Sequence, residues 1–242
     1  MKPIISMFLI GGVCVTALFS IGCSSATVNS LVVSTQSSSN HIRALFFGTG
    51  PYHSPSNVGR PGADDRWSSF PPGSTLTMLV SADVSEADMN FLRSEITSLN
   101  DALDGFFTID VVRSDQGGLL RAQHHEITVS LATPEQMRDV CPGGPGGCME
   151  FPVAGPEDYI FDRVESYYPS ADGIFDMHEI GHAIGLCHVL QSQFNEGTMA
   201  SEGGSRIANF SQSELNAIRI VFGSGLTLGA RERDFRDAGL LP

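Results

Sequence analysis

The chain has 242 residues, with 27 acidic side chains against 14 Lys and Arg and a formal net charge of −13. Lys2 is the only lysine, and this acidic balance argues against a nucleic-acid partner, which needs a basic footprint; a solvated surface accounts for the acidity. Past the N-terminal segment no apolar run is long enough to span a bilayer, and roughly 220 residues remain, enough for one domain with a real core.

The first element in chain order is a targeting segment, residues 1–22. Met1-Lys2 is a minimal basic start, and Ile4 to Ile21 is apolar apart from Ser6, Thr16 and Ser20. With Gly22-Cys23 it resembles a bacterial lipoprotein signal, which implies a lipidated Cys23 at the mature N-terminus; Ser20 stands where such signals usually carry Leu. Ser24 after the cysteine resembles an outer-membrane sorting signal. Two alternatives stay open: ordinary secretory cleavage after Ser24-Ser25-Ala26 and an uncleaved membrane anchor. All three place the rest of the chain outside the cytoplasm. Residues 23–40, rich in Ser, Thr, Asn and Val, read as a tether that a lipid would hold at the bacterial envelope.

His41 to Phe47 is expected to be a first strand, followed by a loop over 48–73. Ser74 to Ser81 alternates polar and apolar, as a half-buried strand does. Ser85-Glu86-Ala87-Asp88 resembles a capping box and opens a helix to about Leu103, with Met89, Leu92, Ile96, Leu99 and Leu103 on one face. Strands are expected at 106–112, 125–132 and 159–164, with an irregular stretch at 133–156. Adjacent His124 and His125 would point to opposite faces of a strand, so they read as surface residues. A long helix is expected over 172–186 with Asp172 as its N-cap. A full capping box at Ser211-Gln212-Ser213-Glu214 opens a last helix that stops at Gly223, and 224–242 reads as a C-terminal tail.

Cys141 and Cys148 bracket Pro-Gly-Gly-Pro-Gly-Gly, a loop that bends easily, so they are the favoured disulfide pair in an oxidising compartment. Cys187 is then a reduced, buried thiol. Its pairing with either of the other two stays open, because sequence alone does not settle connectivity.

The chemistry concentrates in His178-Glu179-Ile180-Gly181-His182-Ala183-Ile184-Gly185-Leu186-Cys187-His188. Histidines four apart project from one helix face and can share one ion. Glu179 lies about 100° further round the helix, beside the site without displacing a ligand. Gly185 can adopt the left-handed conformation that ends a helix, letting His188 return as a third nitrogen ligand. Three imidazoles leave a fourth tetrahedral position open, which is the arrangement of a catalytic zinc site rather than a structural one.

This pattern resembles the metzincin zinc peptidases, and the matrixin branch in particular. Met199, in the turn-prone Asn195 to Ser201, is similar to the methionine turn that metzincins place beneath the metal, and Phe210 to Gly223 is similar to the closing matrixin helix. The resemblance covers 41–223, with specific motifs only in 174–223. It implies an α+β, zincin-like fold: a twisted mixed sheet with an antiparallel edge strand, a long zinc-binding helix, the methionine turn and a C-terminal helix. It further implies one catalytic zinc on His178, His182 and His188, Glu179 as general base on the zinc-activated water, and a protein or peptide substrate lying along the edge strand. The chain departs from matrixins in several places. Gly59 to Asp64 has the outline of the latency segment but no cysteine. The loop for a second, structural zinc and calcium is not recognisable, so a structural calcium ion has no assignable residues. Ala200 stands where some metzincins carry an aromatic. The reading is therefore an envelope-anchored zinc endopeptidase. The alternatives are a catalytically weak, zinc-containing adhesion or binding module and a zinc hydrolase of a non-protein bond.

Overall fold

The computed structural model describes residues 39–51, 66–141, 148–150, 159–169, 177–190, 197–199 and 209–242. The targeting segment with Cys23, nearly all of the tether, Gly59 to Asp64, Asp172 and Ala200 lie outside the described residues.

The architecture is α+β. Strands β1 (Thr75–Val80), β2 (Thr108–Arg113), β3 (Glu126–Ala132), β4 (Cys148–Glu150) and β5 (Val164–Pro169) form one sheet in the order β2-β1-β3-β5-β4. The first four in that order are parallel, and β4 runs antiparallel along β5, with Cys148 opposite Tyr167 and Met149 opposite Ser166. Helix α2 (Glu86–Leu103) makes the crossover from β1 to β2 that a parallel pair requires. Its N-cap Ser85 accepts from the Asp88 amide, and it buries the apolar face seen in the sequence: Met89, Leu92, Ile96, Leu99 and Leu103. That face packs with Leu76, Met78, Val80, Ile109, Ile127 and Val129 of the sheet into the main core. Among the described residues no helix is long and apolar enough to cross a membrane.

Several segments differ from the sequence expectation. The long helix expected over 172–186 is short: α4 spans His178–Ala183 with Met177 as its N-cap, and 184–185 already form the turn in which Gly185 takes φ 95. His41 to Phe47 is not a strand: residues 39–47 are helical, with α1 (Arg43–Phe47) a wide π-helical turn. Ala44, Leu45, Phe46 and Phe47 are all buried, so the run carries no periodicity that separates strand from helix. The stop signal was Gly48, left-handed at φ 56, whose amide donates to the Arg43 and Ala44 carbonyls. The stretch expected to be irregular holds α3 (Pro134–Val140), opened by a capping box from Thr133 and Gln136, and the short strand β4. The strand expected at 159–164 begins instead at Val164, and Ile160 makes only an isolated bridge to Ser69. His124 and His125 precede β3 at a turn where His125 has φ 59, so the rings stack 3.8 Å apart rather than facing opposite ways.

Residues 224–242 belong to the packed structure. They contain α6 (Glu232–Asp237), whose Phe235 is fully buried against Trp67 and Phe47. Trp67 also meets Phe222 edge-on at 5.2 Å, and its amide donates to Ala230. Arg43 of α1 pairs with Glu232 of α6 at 3.1 Å, and the Thr49 hydroxyl donates to the same carboxylate. The two ends of the described chain are thereby clasped together. Cys141 and Cys148 are joined as a disulfide that ties the C-terminal end of α3 to the start of β4, and Cys187 is buried outside any disulfide. The pairing predicts that a non-reduced digest yields a linked Cys141–Cys148 peptide and an alkylatable Cys187 after unfolding; a Cys187-linked peptide would contradict it.

Burial of His41 lowers its pKa from 6.5 to about 4. A histidine with a depressed folded-state pKa binds fewer protons than it does in the unfolded chain, so acid favours unfolding. Its contribution is intact above the unfolded value and is lost as pH falls from about 6.5 toward 4, amounting to roughly 3 kcal/mol. In the metal-stripped protein, His41→Leu is expected to flatten the fall of stability over that window, as read by urea unfolding at several pH values. An unchanged pH slope would remove His41 from the acid response.

Candidate metal centre

Helix α4 (His178–Ala183) presents the first two histidines, and the chain after it brings back the third. Gly185 makes the reversal at φ +95, where a Cβ would also lie 1.9 Å from the Ser68 carbonyl oxygen, so both backbone conformation and space demand glycine. The turn is held from several sides. The Gly185 amide donates to His182, the Leu186 amide to Gly181 and the Cys187 amide to Leu45 of α1. The Ser69 hydroxyl donates to the Ile184 carbonyl at 3.0 Å. Thus α1 and the 66–70 segment, both remote in sequence, buttress the return.

The outcome is convergence. His188 Nε2 lies 3.0 Å from His178 Nε2 and 2.9 Å from His182 Nε2, and the ligating atoms of all three residues lie within 4.8 Å of one another. His178 is buried and the other two are half-buried. Two imidazoles are fixed in tautomer by backbone carbonyls: His178 Nδ1 donates to Thr198 O and His182 Nδ1 to Leu186 O, each at 2.6 Å. A carbonyl only accepts, so both Nδ1 atoms carry the hydrogen and both Nε2 atoms present lone pairs to the shared point. Lone pairs crowded at this distance repel unless a metal ion or a proton on His188 Nε2 lies among them, and outer carbonyls that orient ligating imidazoles are usual at metal sites. The three histidines therefore form a cluster that can hold a metal ion. Among the described residues no other group of His, Cys, Asp or Glu is so arranged.

Glu179, one residue past the first histidine, is buried at 4% exposure. Met199 is fully buried, and the space a Cβ of Gly181 would take lies 2.2 Å from its Sδ. Gly181 sits between His178 and His182 in sequence, so the thioether packs against the helix between the two histidines. The Val189 amide donates to the Met199 carbonyl, joining this turn to the residue that follows His188.

Sequence reading missed one feature of the site. Glu214, recognised only as the third residue of a capping box in α5 (Gln212–Phe222), is fully buried. Besides the Ser211 amide, its carboxylate accepts from the Thr198 amide at 3.2 Å and the Met199 amide at 2.9 Å. Burial raises its pKa, and the hydrogen bonds from Met199, Ser211 and Thr198 oppose that shift. A capping box announces the local partner of such a glutamate, not a second partner brought by tertiary packing.

No protein-family model matches the chain. No curated protein matches it either.

Two substitutions separate shape from chemistry here. Met199→Leu nearly conserves volume, so its expected cost is under ~1.5 kcal/mol, with metal retained. Gly185→Ala must open a backbone clash and adopt a strained φ, costing more than ~2 kcal/mol and weakening metal binding through His188. Thermal unfolding with and without zinc measures both; a harmless Gly185→Ala would refute the proposed reversal.

Proposed function

We propose that this chain is an extracytoplasmic zinc endopeptidase of the metzincin type, matrixin-like in its catalytic domain. The single observation that carries the reading is the convergence of His178, His182 and His188 with buried Glu179 beside the first of them. The antiparallel β4 at the sheet edge, Met199 packed against Gly181 and the capped helix α5 are further support, since the resemblance implies all three.

Three neutral imidazole donors suit zinc, and the histidine-only set suits a catalytic rather than a structural ion. Bound there, zinc would acidify a water and polarise a peptide carbonyl. The residues of the chain do the rest. Strand β4 offers its outer backbone edge to an extended peptide, which sets the scissile bond by main-chain pairing. Thr198 and Leu186 hold two imidazoles in the donor tautomer. Glu179 takes a proton from the attacking water and delivers it to the leaving nitrogen, so a single carboxylate serves as base and then acid. No serine or cysteine nucleophile is required, and Cys187 is buried.

The intact Glu179 weighs against a non-catalytic adhesion module, because proton transfer is what such a module dispenses with. The edge strand favours a peptide over a non-protein bond. The Cys141–Cys148 disulfide supports an oxidising, extracytoplasmic compartment. The apolar N-terminal segment followed by Gly22-Cys23 favours a lipid-anchored protein of the bacterial envelope over a secreted one; membrane fractionation of Cys23→Ser, expected to be released or unprocessed, tests the anchor.

The decisive assay is cleavage of an unfolded protein by the purified mature domain. Activity is expected to vanish with a chelator and to return with zinc. Glu179→Gln is expected to keep the metal and lose roughly 10²–10⁴-fold in rate. Chelator-resistant cleavage, or a Glu179→Gln variant within a tenth of the parent, contradicts the mechanism.

A further inference from the structure

We propose that Glu214 is a positioning residue of the metal centre: through the 198–199 turn it fixes the imidazole of His178. The inference rests on the metal-site reading above and extends it to a residue on a different helix.

The connection is continuous in the structure. Glu214 Oε1 accepts from the Met199 amide, and Oε2 accepts from the Thr198 amide, so one carboxylate grips two successive peptide groups. The carbonyl of Thr198, on the far side of that residue from the gripped amide, accepts from His178 Nδ1 at 2.6 Å. Met199 meanwhile fills the space against Gly181 on the helix that carries His178 and His182. Moving the turn therefore moves the acceptor that sets the His178 tautomer and ring plane. Glu214 is itself held from behind, because Oε2 also accepts the Ser211 amide at 2.7 Å and the Ser211 hydroxyl at 3.0 Å.

Two features go beyond what capping alone requires. An N-terminal capping glutamate ordinarily stays at the helix surface, satisfied by its own N-cap amide. Here the side chain is fully buried and takes two more amides from a segment 15 and 16 residues away. In addition, a Cβ on Gly197 would lie 2.5 Å from Glu214 Oε1, so the glycine before the turn leaves room for this carboxylate.

The chemistry of the contact selects its own test. An amide in place of the carboxylate exchanges one acceptor oxygen for an NH2 donor. In either orientation that donor faces a turn amide, Met199 on one side or Thr198 on the other, so Glu214→Gln cannot satisfy both. Gly197→Ala attacks the same contact from the turn side. Ser85→Ala removes the N-cap of α2 and destabilises that helix without touching Glu214 or the turn, so it serves as the control for a merely structural role.

Zinc affinity of the folded, metal-stripped full domain is measured by competition with a chromophoric chelator, and the visible spectrum of the cobalt-substituted protein reports ligand geometry. Outer-shell changes of this kind weaken metal binding by about 10–100-fold, and one further step of remove puts Glu214→Gln and Gly197→Ala near the lower end, about tenfold. Both variants are expected to alter the cobalt spectrum, whereas Ser85→Ala lowers the melting temperature and leaves affinity and spectrum unchanged. If Glu214→Gln does not fold, Gly197→Ala alone decides. Parent-like affinity in the folded variants, or an equal loss in Ser85→Ala, overturns the inference while a zinc-binding parent keeps the metal-site reading. A parent that holds no zinc overturns both.

Discussion

Three imidazole nitrogens meet at 2.9 and 3.0 Å, and at least two of them must present lone pairs to the same point. That electrostatic constraint organises the rest of the molecule. The fold holds this cluster with contacts drawn from widely separated parts of the chain. Carbonyls at Thr198 and Leu186 fix the tautomers. The Ser68 and Ser69 backbone region and Leu45 shape the return to His188. Met199 and Glu214 support the opposite side.

Seen this way, the aromatic core around Trp67 does more than bury apolar area. Trp67 immediately precedes Ser68 and Ser69, the two residues that the Gly185 turn leans on, and it is locked by Phe106, Phe222 and Phe235. The clasp between α1 and α6 seats Leu45, whose carbonyl takes the Cys187 amide next to the third histidine. Precision at the site is thus inherited from packing at the two ends of the described chain, and the C-terminal residues contribute directly through Phe235.

How legible this was in the sequence follows from the range of each signal. The metal residues and Glu179 sit within eleven positions, so helix periodicity and one glycine suffice to bring them together. Helices α2 and α5 announce themselves by capping serines and apolar faces of helical period, and β1 by its alternation. The failures come where the pattern is saturated or the partner is distant. In α1 every side chain from Ala44 to Phe47 is buried, which erases periodicity. Strand β4 has only three residues and owes its existence to β5 and the disulfide beside it. Phe235 and Glu214 gain their roles from tertiary contact with residues that no local motif names.

The central claim is that His178, His182 and His188 together hold one zinc ion. X-ray absorption at the zinc edge, with metal content measured on the same sample, tests it most directly. One zinc per chain is expected, in a nitrogen and oxygen shell with the scattering of three imidazoles and no sulfur. Absence of tightly held zinc, or a sulfur ligand contributed by Cys187 in place of the imidazole of His188, would contradict it.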